Sequence, residues 1–149
     1  MSQDEFDEFR PRTLATLAAE LVRAHGSAPD AARRSAERSL ESLIPGGRLP
    51  APDQHLYSIR REREPVGGVW FGIRRDHSVT EAYIWDLWIE PEWRKHGIAT
   101  AAMDQLEIIV KGLGIRRVAL NVFAHNTDAA RLYERLGYVP VSAQMTKRL

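Results

Sequence analysis

Apolar positions recur at helical spacing in the first part of the chain, alternate in the middle, and return to helical spacing toward the end. Leu14, Leu17, Ala18, Leu21 and Val22 make one stripe. Pro11 fits the first turn of that helix, Gly26 its stop, and Phe6 and Phe9 are anchors in an otherwise acidic lead-in. A second helix begins near Pro29-Asp30, carries Ala32, Ala36, Leu40 and Leu43 inward, and ends at Pro45-Gly46-Gly47. After a loop over 45–53, His55 to Arg61 alternates and predicts a strand. Val66 to Ile73 is rich in β-branched and aromatic residues, with a turn at Arg63-Glu64-Pro65 before it. Gly67 and Gly68 within it suggest a bulge or a close backbone approach. Asp76-His77-Ser78 is the next turn, and Val79 to Ile89 is the longest strand, ended by Pro91. The helix after Gly97 has its stripe at Ala99, Met103, Leu106, Ile109 or Val110, and Leu113. Arg117 to Phe123 reads as a strand. Asn126 caps a short helix with Ala129, Leu132, Tyr133 and Leu136 inward, Gly137 stops it, and a final strand runs to Leu149. Two helices, three meandering strands, then helix, strand, helix, strand describe an α/β or α+β protein with helices packed on a sheet.

Composition narrows the function more than the fold. The 149 residues read as a single domain over 1–149, helical over 1–53 and sheet-bearing over 54–149. A net charge of +1 gives no bulk attraction to nucleic acid or an anionic membrane, and Arg33, Arg34 and Arg38 read as a solvated helix face. The absence of cysteine excludes disulfides, thiolate metal sites and a cysteine nucleophile, and is compatible with a reducing cytoplasm, the expected location. No apolar run reaches membrane-spanning length, the acidic start is unlike a signal peptide, and no metal is called for.

The chemistry concentrates at Arg94-Lys95-His96-Gly97-Ile98-Ala99, between an apolar strand and a helix. A helix start offers unpaired N–H donors and a partial positive charge, which suits a phosphate. Three basic side chains surround it, and Gly97 lets a ligand approach the backbone. The turn lacks the Lys-Ser/Thr end of a Walker loop and the spacing of dinucleotide folds.

Two motifs resemble the GCN5-related N-acetyltransferase (GNAT) superfamily over about residues 54–149. Leu87-Trp88-Ile89-Glu90-Pro91 with Arg94-x-x-Gly97-x-Ala99 is similar to the family's coenzyme A pyrophosphate motif. Asn126-x-x-Ala129-x-x-x-Tyr133-Glu134-x-x-Gly137-Tyr138 is close to its second signature. The resemblance implies a mixed, mostly antiparallel twisted sheet with a splayed centre and helices on both faces. Such a sheet usually begins with a strand ahead of the two helices. Residues 1–12 hold no alternating apolar run, so that first strand is expected to be missing here. The strand at 55–61 then becomes an edge, to be covered by the acidic N-terminal segment or by a second copy, which makes a homodimer an expectation.

The resemblance further implies acetyl-CoA as cosubstrate. Its pantetheine arm would lie against the main chain of Leu87, Trp88 and Ile89, with the Ile89 N–H on the thioester carbonyl. Its pyrophosphate would sit on the N–H groups of Lys95, His96, Gly97, Ile98, Ala99 and Thr100, beside Arg94. Asn126 and Ala129 belong to the same side, and Tyr133 matches the tyrosine that serves as acid for the sulfur. Many members carry a glutamate base in the central strand where this chain has Trp85. Asp86 is the nearest carboxylate and the candidate base; Glu81, Glu90 and His125 are the alternatives. The acceptor pocket is expected from residues near Pro11 to Arg23, Pro45 to His55 and Val141 to Met145, with Trp70, Trp85 and Trp88 as possible walls. The acceptor would be an amine on a small molecule or peptide, with no nucleic acid or membrane involved. A non-catalytic acyl-CoA-binding or sensing module is the alternative.

Overall fold

Ser2 starts the first helix. In the computed structural model, which describes residues 1–76, 78–145 and 147, the Ser2 hydroxyl accepts from the Glu5 N–H at 3.2 Å and the Glu5 carboxylate accepts from the Ser2 N–H at 2.8 Å. This reciprocal cap launches α1, Gln3–His25. Pro11 therefore lies inside α1 and not in its first turn, a correction to the sequence reading. It sits on the exposed side, where water can replace the helix bond it cannot make. Phe6, Phe9 and Thr13 are the buried positions of α1, ahead of the half-buried Leu14, Leu17 and Leu21. Gly26, at φ 65°, closes it with its N–H on the Val22 carbonyl. The second helix, α2, Pro29–Leu43, buries Ala32, Ala36 and Leu40 and leaves Arg33, Arg34 and Arg38 exposed, as the spacing requires.

Strands β1 (Gln54–Arg61), β2 (Glu64–Asp76), β3 (Val79–Ile89) and β4 (Val118–Leu120) form a sheet in that order. The first two pairings are antiparallel and the third is parallel. Side chains alternate between its faces, and each face has its own core. Trp70 and Leu56 pack with Phe6, Phe9, Leu40 and Ile44 of the α1–α2 layer. Val69, Phe71, Ala82 and Ile84 pack with Met103, Leu106 and Val110 of α3 (Ile98–Gly112), joined at the margin by Tyr133 and Leu136 of α4 (Thr127–Arg135) and the residue after it. The absent first strand is borne out among the described residues: α1 comes first and β1 is the edge. The chain's own start covers part of that edge. The Met1 ammonium donates to the Leu56 carbonyl at 3.0 Å, and Glu5 pairs with Arg60.

Several expectations are corrected. Gly67 and Gly68 do not form the bulge. The β2–β3 register shifts where Trp70 and Phe71 face Asp86 and Ile84, so the extra residue is Trp85. Close approach is right: a Cβ on Gly68 would overlap the Trp88 ring, and one on Gly67 the Trp88 carbonyl. Leu113 is 46% exposed, past the end of the α3 stripe. The strand at 117–123 shrinks to β4. Residues 138–145 form no strand, and Val139 and Val141 are exposed; Thr146, Arg148 and Leu149 lie outside the described residues, as does His77 of the 76–78 turn. Val141 and Ser142 instead line a cavity beside α3 and α4, with Glu107, Tyr133 and Tyr138.

Candidate active site

The site begins where two strands part. β4 pairs with β3 only from Ala82 to Ile84, opposite Val118 to Leu120. Beyond that point lies the bulge at Trp85, and the outer side of β3 is open. Ladder alternation decides what it offers there. Glu90 N–H bonds the Val66 carbonyl at 2.9 Å, so Trp88 and Asp86, in step with it, turn their main chains to β2. Leu87 and Ile89 turn theirs to the open side. Of the stretch 87–89, Trp88 is thus the member whose backbone faces away, and its indole covers Gly68 on the α1 face. The Ile89 carbonyl is taken by Arg94 Nε at 2.9 Å, which leaves its N–H as the group directed into the slot.

The turn after β3 is tightly wound. Lys95 (φ 61°) and Gly97 (φ 78°) both take left-handed conformations, and Gly97 stands at the N-cap of α3 with no side-chain cap. A Cβ on Gly97 would meet none of the described residues within 4 Å, so the space over the helix start is open. The N–H groups of Ile98, Ala99 and Thr100, first-turn donors without intrahelical partners, point there. His96 Nδ1 lies 2.7 Å from the Arg94 carbonyl; a carbonyl only accepts, so Nδ1 carries the proton. Lys95 pairs with Asp128 at 3.4 Å, linking this turn to the first turn of α4. Arg61 stacks its guanidinium 4.8 Å over Trp93.

Asn126 caps α4, its side chain accepting from the Ala129 N–H at 3.2 Å. Ala129, Leu132, Tyr133 and Leu136 are the inward positions, as the spacing predicted. The Tyr133 ring meets Tyr138 edge to face at 5.6 Å. Burial, then the charge of Asp86, push the Tyr133 hydroxyl up to about 12, so it stays protonated at neutral pH.

Asp86 lies on the α1 side of β3, where the bulge sets it beside Trp85. Burial raises its carboxyl above the ordinary range, outweighing the Thr13 hydroxyl that donates to Oδ2 at 3.0 Å and the Arg12 charge nearby. The alternatives are committed elsewhere. Glu81 is buried at the far end of β3 between Arg74 and Arg117. Glu90 accepts from Trp88 Nε1 at 3.2 Å. His125 Nε2 lies 2.8 Å from Glu20 of α1. Trp85 packs between Tyr83 and Trp70, with ring centroids 4.5 and 6.1 Å away, and a Cβ on Gly72 would reach 2.6 Å from its Nε1.

The sequence placed the stretch Pro11 to Arg23 at the acceptor side without singling out Arg12, Thr13 and Glu20 within it. The signal for Thr13 and Glu20 was a stripe that continues the anchors, Phe6, Phe9, Thr13, Leu17 and Glu20, in which polar residues stand at inward positions. Among the described residues no group of three or more His, Cys, Asp or Glu is placed to hold a metal ion, and no helix is long and apolar enough to cross a membrane.

Known proteins share this arrangement. The model of the acetyltransferase (GNAT) family matches residues 14–138. The uncharacterized N-acetyltransferase YycN of Bacillus subtilis is 33% identical over 150 residues, covering 100% of this chain and 96% of that protein. The crystal structure of YycN superposes with a TM-score of 0.91 over 100% of this chain and 95% of that one. The uncharacterized N-acetyltransferase YdgE of the same organism is 29% identical, covering 100% of this chain and 95% of its own. An open, parting sheet with an uncapped helix start beside it, matched over its whole length to such relatives, leads to one conclusion: the chain belongs to the acetyltransferase (GNAT) family and is an N-acetyltransferase.

Proposed function

We propose that the protein moves an acetyl group directly from acetyl-CoA to a primary amine, on a small molecule or a peptide, with Tyr133 as acid and Asp86 as base. The observation that carries this reading is geometric: β3 loses its partner β4 beyond Ile84, beside the uncapped start of α3, with Asp86 on the α1 face of β3 and Tyr133 packed on the α3 face. The fit to the donor rests on open space above Gly97 and on donors without partners: the N–H groups of Ile98, Ala99 and Thr100 for the pyrophosphate, and the main chains of Leu87 and Ile89 for the pantetheine arm. Arg94, Lys95 and His96 add donors and positive charge around that turn, and Asn126 and Ala129 border the arm from α4.

The acceptor enters as an ammonium, which loses one proton to Asp86 through water. Its nitrogen then attacks the thioester carbon; the C–N bond forms and the C–S bond breaks. The Ile89 N–H stabilises the oxygen as it gains charge. The sulfur leaves with a proton from Tyr133, which takes back the second amine proton. The raised carboxyl of Asp86 improves it as a base, since its affinity for a proton rises toward the working pH. A cytoplasmic location, compatible with the cysteine-free composition, belongs to the same reading. The cover that Met1 and Glu5 give the β1 edge removes one reason for a homodimer.

A second reading, an acyl-CoA-binding or sensing module, is favoured by Trp85, which fills with packed indole the position of the family's strand glutamate. Calorimetry with acetyl-CoA on the wild type and on Gly97→Trp, followed by thiol-release assays on an amine panel, separates the two. The wild type should bind, and Gly97→Trp should bind at least about 100-fold more weakly. Its circular dichroism should be unchanged, since the strain of a side chain at this φ costs only about 1–2 kcal/mol. Binding without thiol release from any amine would favour the sensing module, and no binding by the wild type would end the reading.

A further inference from the structure

Arg12 stands on α1 one residue before Thr13, the residue whose hydroxyl holds Asp86. Its guanidinium carbon lies 4.8 Å over the Trp88 ring, which holds the group on the α1 face of β3. One of its nitrogens, Nη1, is buried and has no hydrogen-bond partner among the described residues. The charges that act on it are Asp86 and Glu90, of opposite sign, and Arg94, of like sign. Neither carboxylate is idle: Asp86 Oδ2 accepts from Thr13 and Glu90 Oε1 accepts from Trp88. A buried donor left unmatched is costly, and guanidinium is the side chain best shaped to grip a carboxylate with two parallel N–H bonds.

The place thus offers opposite charges side by side: a carboxylate that attracts an ammonium, and a guanidinium with a spare donor. Because the Arg12 and Asp86 charges act on each other, the two charges they match are also close together in the acceptor. Resting on the acetyl-transfer reading above, we propose that Arg12 binds the carboxylate of a free amino acid whose amine faces Asp86, so that the acceptor is a zwitterionic amino acid and not a peptide terminus or a simple amine. A peptide terminus carries a neutral amide where Arg12 expects the carboxylate, and a simple amine carries nothing there.

The test uses matched acceptors with saturating acetyl-CoA: leucine, phenylalanine and threonine, the amide of each, and the amine left when the carboxyl group is removed. Thiol release gives kcat/KM for each. The wild type should prefer the acid of at least one set over its amide and amine by about 10- to 100-fold, with the difference mainly in KM. In Arg12→Gln the ratio of acid to amide should fall toward one, and in Arg12→Lys it should fall less, because a point charge keeps the attraction and loses the paired geometry. The wild-type ratios need no variant, so a poorly folding Arg12→Gln does not block the test. Amides or amines used as well as the acids, or an acid preference that survives Arg12→Gln, would overturn the assignment of Arg12 while leaving acetyl transfer standing. Bound acetyl-CoA with no turnover of any acceptor would overturn both.

Discussion

On the α3 face of the sheet the proposed site is made mostly of backbone, with Tyr133 as the side chain that enters it; on the α1 face it is made of side chains. The donor side consists of N–H groups at a helix start, two left-handed residues and a strand edge released by a short partner. The acceptor side consists of Asp86, Thr13 and Arg12, brought together across 73 residues of chain. A backbone site constrains local sequence, because glycine and basic residues must stand at set places around a turn. A side-chain site constrains only which residues end up facing each other, and relatives are free to change them while keeping the fold. One face therefore identifies the family, and on the proposed reading the other carries the individual protein's choice of acceptor.

Three substitutions press on this division, from the largest effect to the smallest. Asp86→Asn should lower kcat/KM at neutral pH by about 10²–10³-fold, within the usual reach of a general base. Acetyl-CoA affinity measured by calorimetry should be unchanged. The pH–rate profile should lose its acidic limb, which in the wild type lies above the usual carboxylate range because burial raises this group. The sign for stability is opposite. A carboxyl whose folded pKa is raised destabilises the protein where it is ionised, so the variant should melt at a higher temperature than the wild type at pH 7 to 8. That gain should vanish as the pH falls below the unfolded carboxylate value of about 3.9. An unaltered pH–rate profile would remove Asp86 from the chemistry.

Tyr133→Phe should lower kcat by about 10²-fold and leave KM for the acceptor nearly unchanged. The wild-type profile should show no alkaline limb from this hydroxyl below its value of about 12. A rise in acceptor KM with kcat retained would instead make Tyr133 part of the acceptor side and blur the division. Gly68→Ala tests the partition between the faces. Its Cβ would collide with the Trp88 ring, which lies under Arg12, and overpacking of this kind costs about 1–3 kcal/mol. Thermal melting should show the loss, and acceptor KM should suffer more than acetyl-CoA affinity.

What could be read in the sequence follows the same division. The four inward positions of α4, the limits of β3, the uncapped glycine turn and the missing first strand are local, and periodicity or turn chemistry encodes them. The bulge could not be assigned to Trp85 from the residues alone, because register belongs to a pair of strands; the glycines in β2 mark where the chains come close, not where they slip. Pro11 was over-read as a helix start, although Ser2 and Glu5 held the stronger signal. Within the stretch Pro11 to Arg23 assigned to the acceptor side, Arg12 could not be singled out, since nothing local tells a solvated arginine from one lying on a tryptophan of another element.

The bulge has a spectroscopic consequence. With Trp85 displaced to the α1 face, three of the four tryptophans, Trp70, Trp85 and Trp88, share the acceptor side, while Trp93 stands alone at the donor turn between Arg61 and His96. Each half of the reaction thus has its own intrinsic fluorophore. Emission from Trp93→Phe would report acceptor binding without the donor's contribution, so that the order in which the two substrates arrive could be followed in the unlabelled protein.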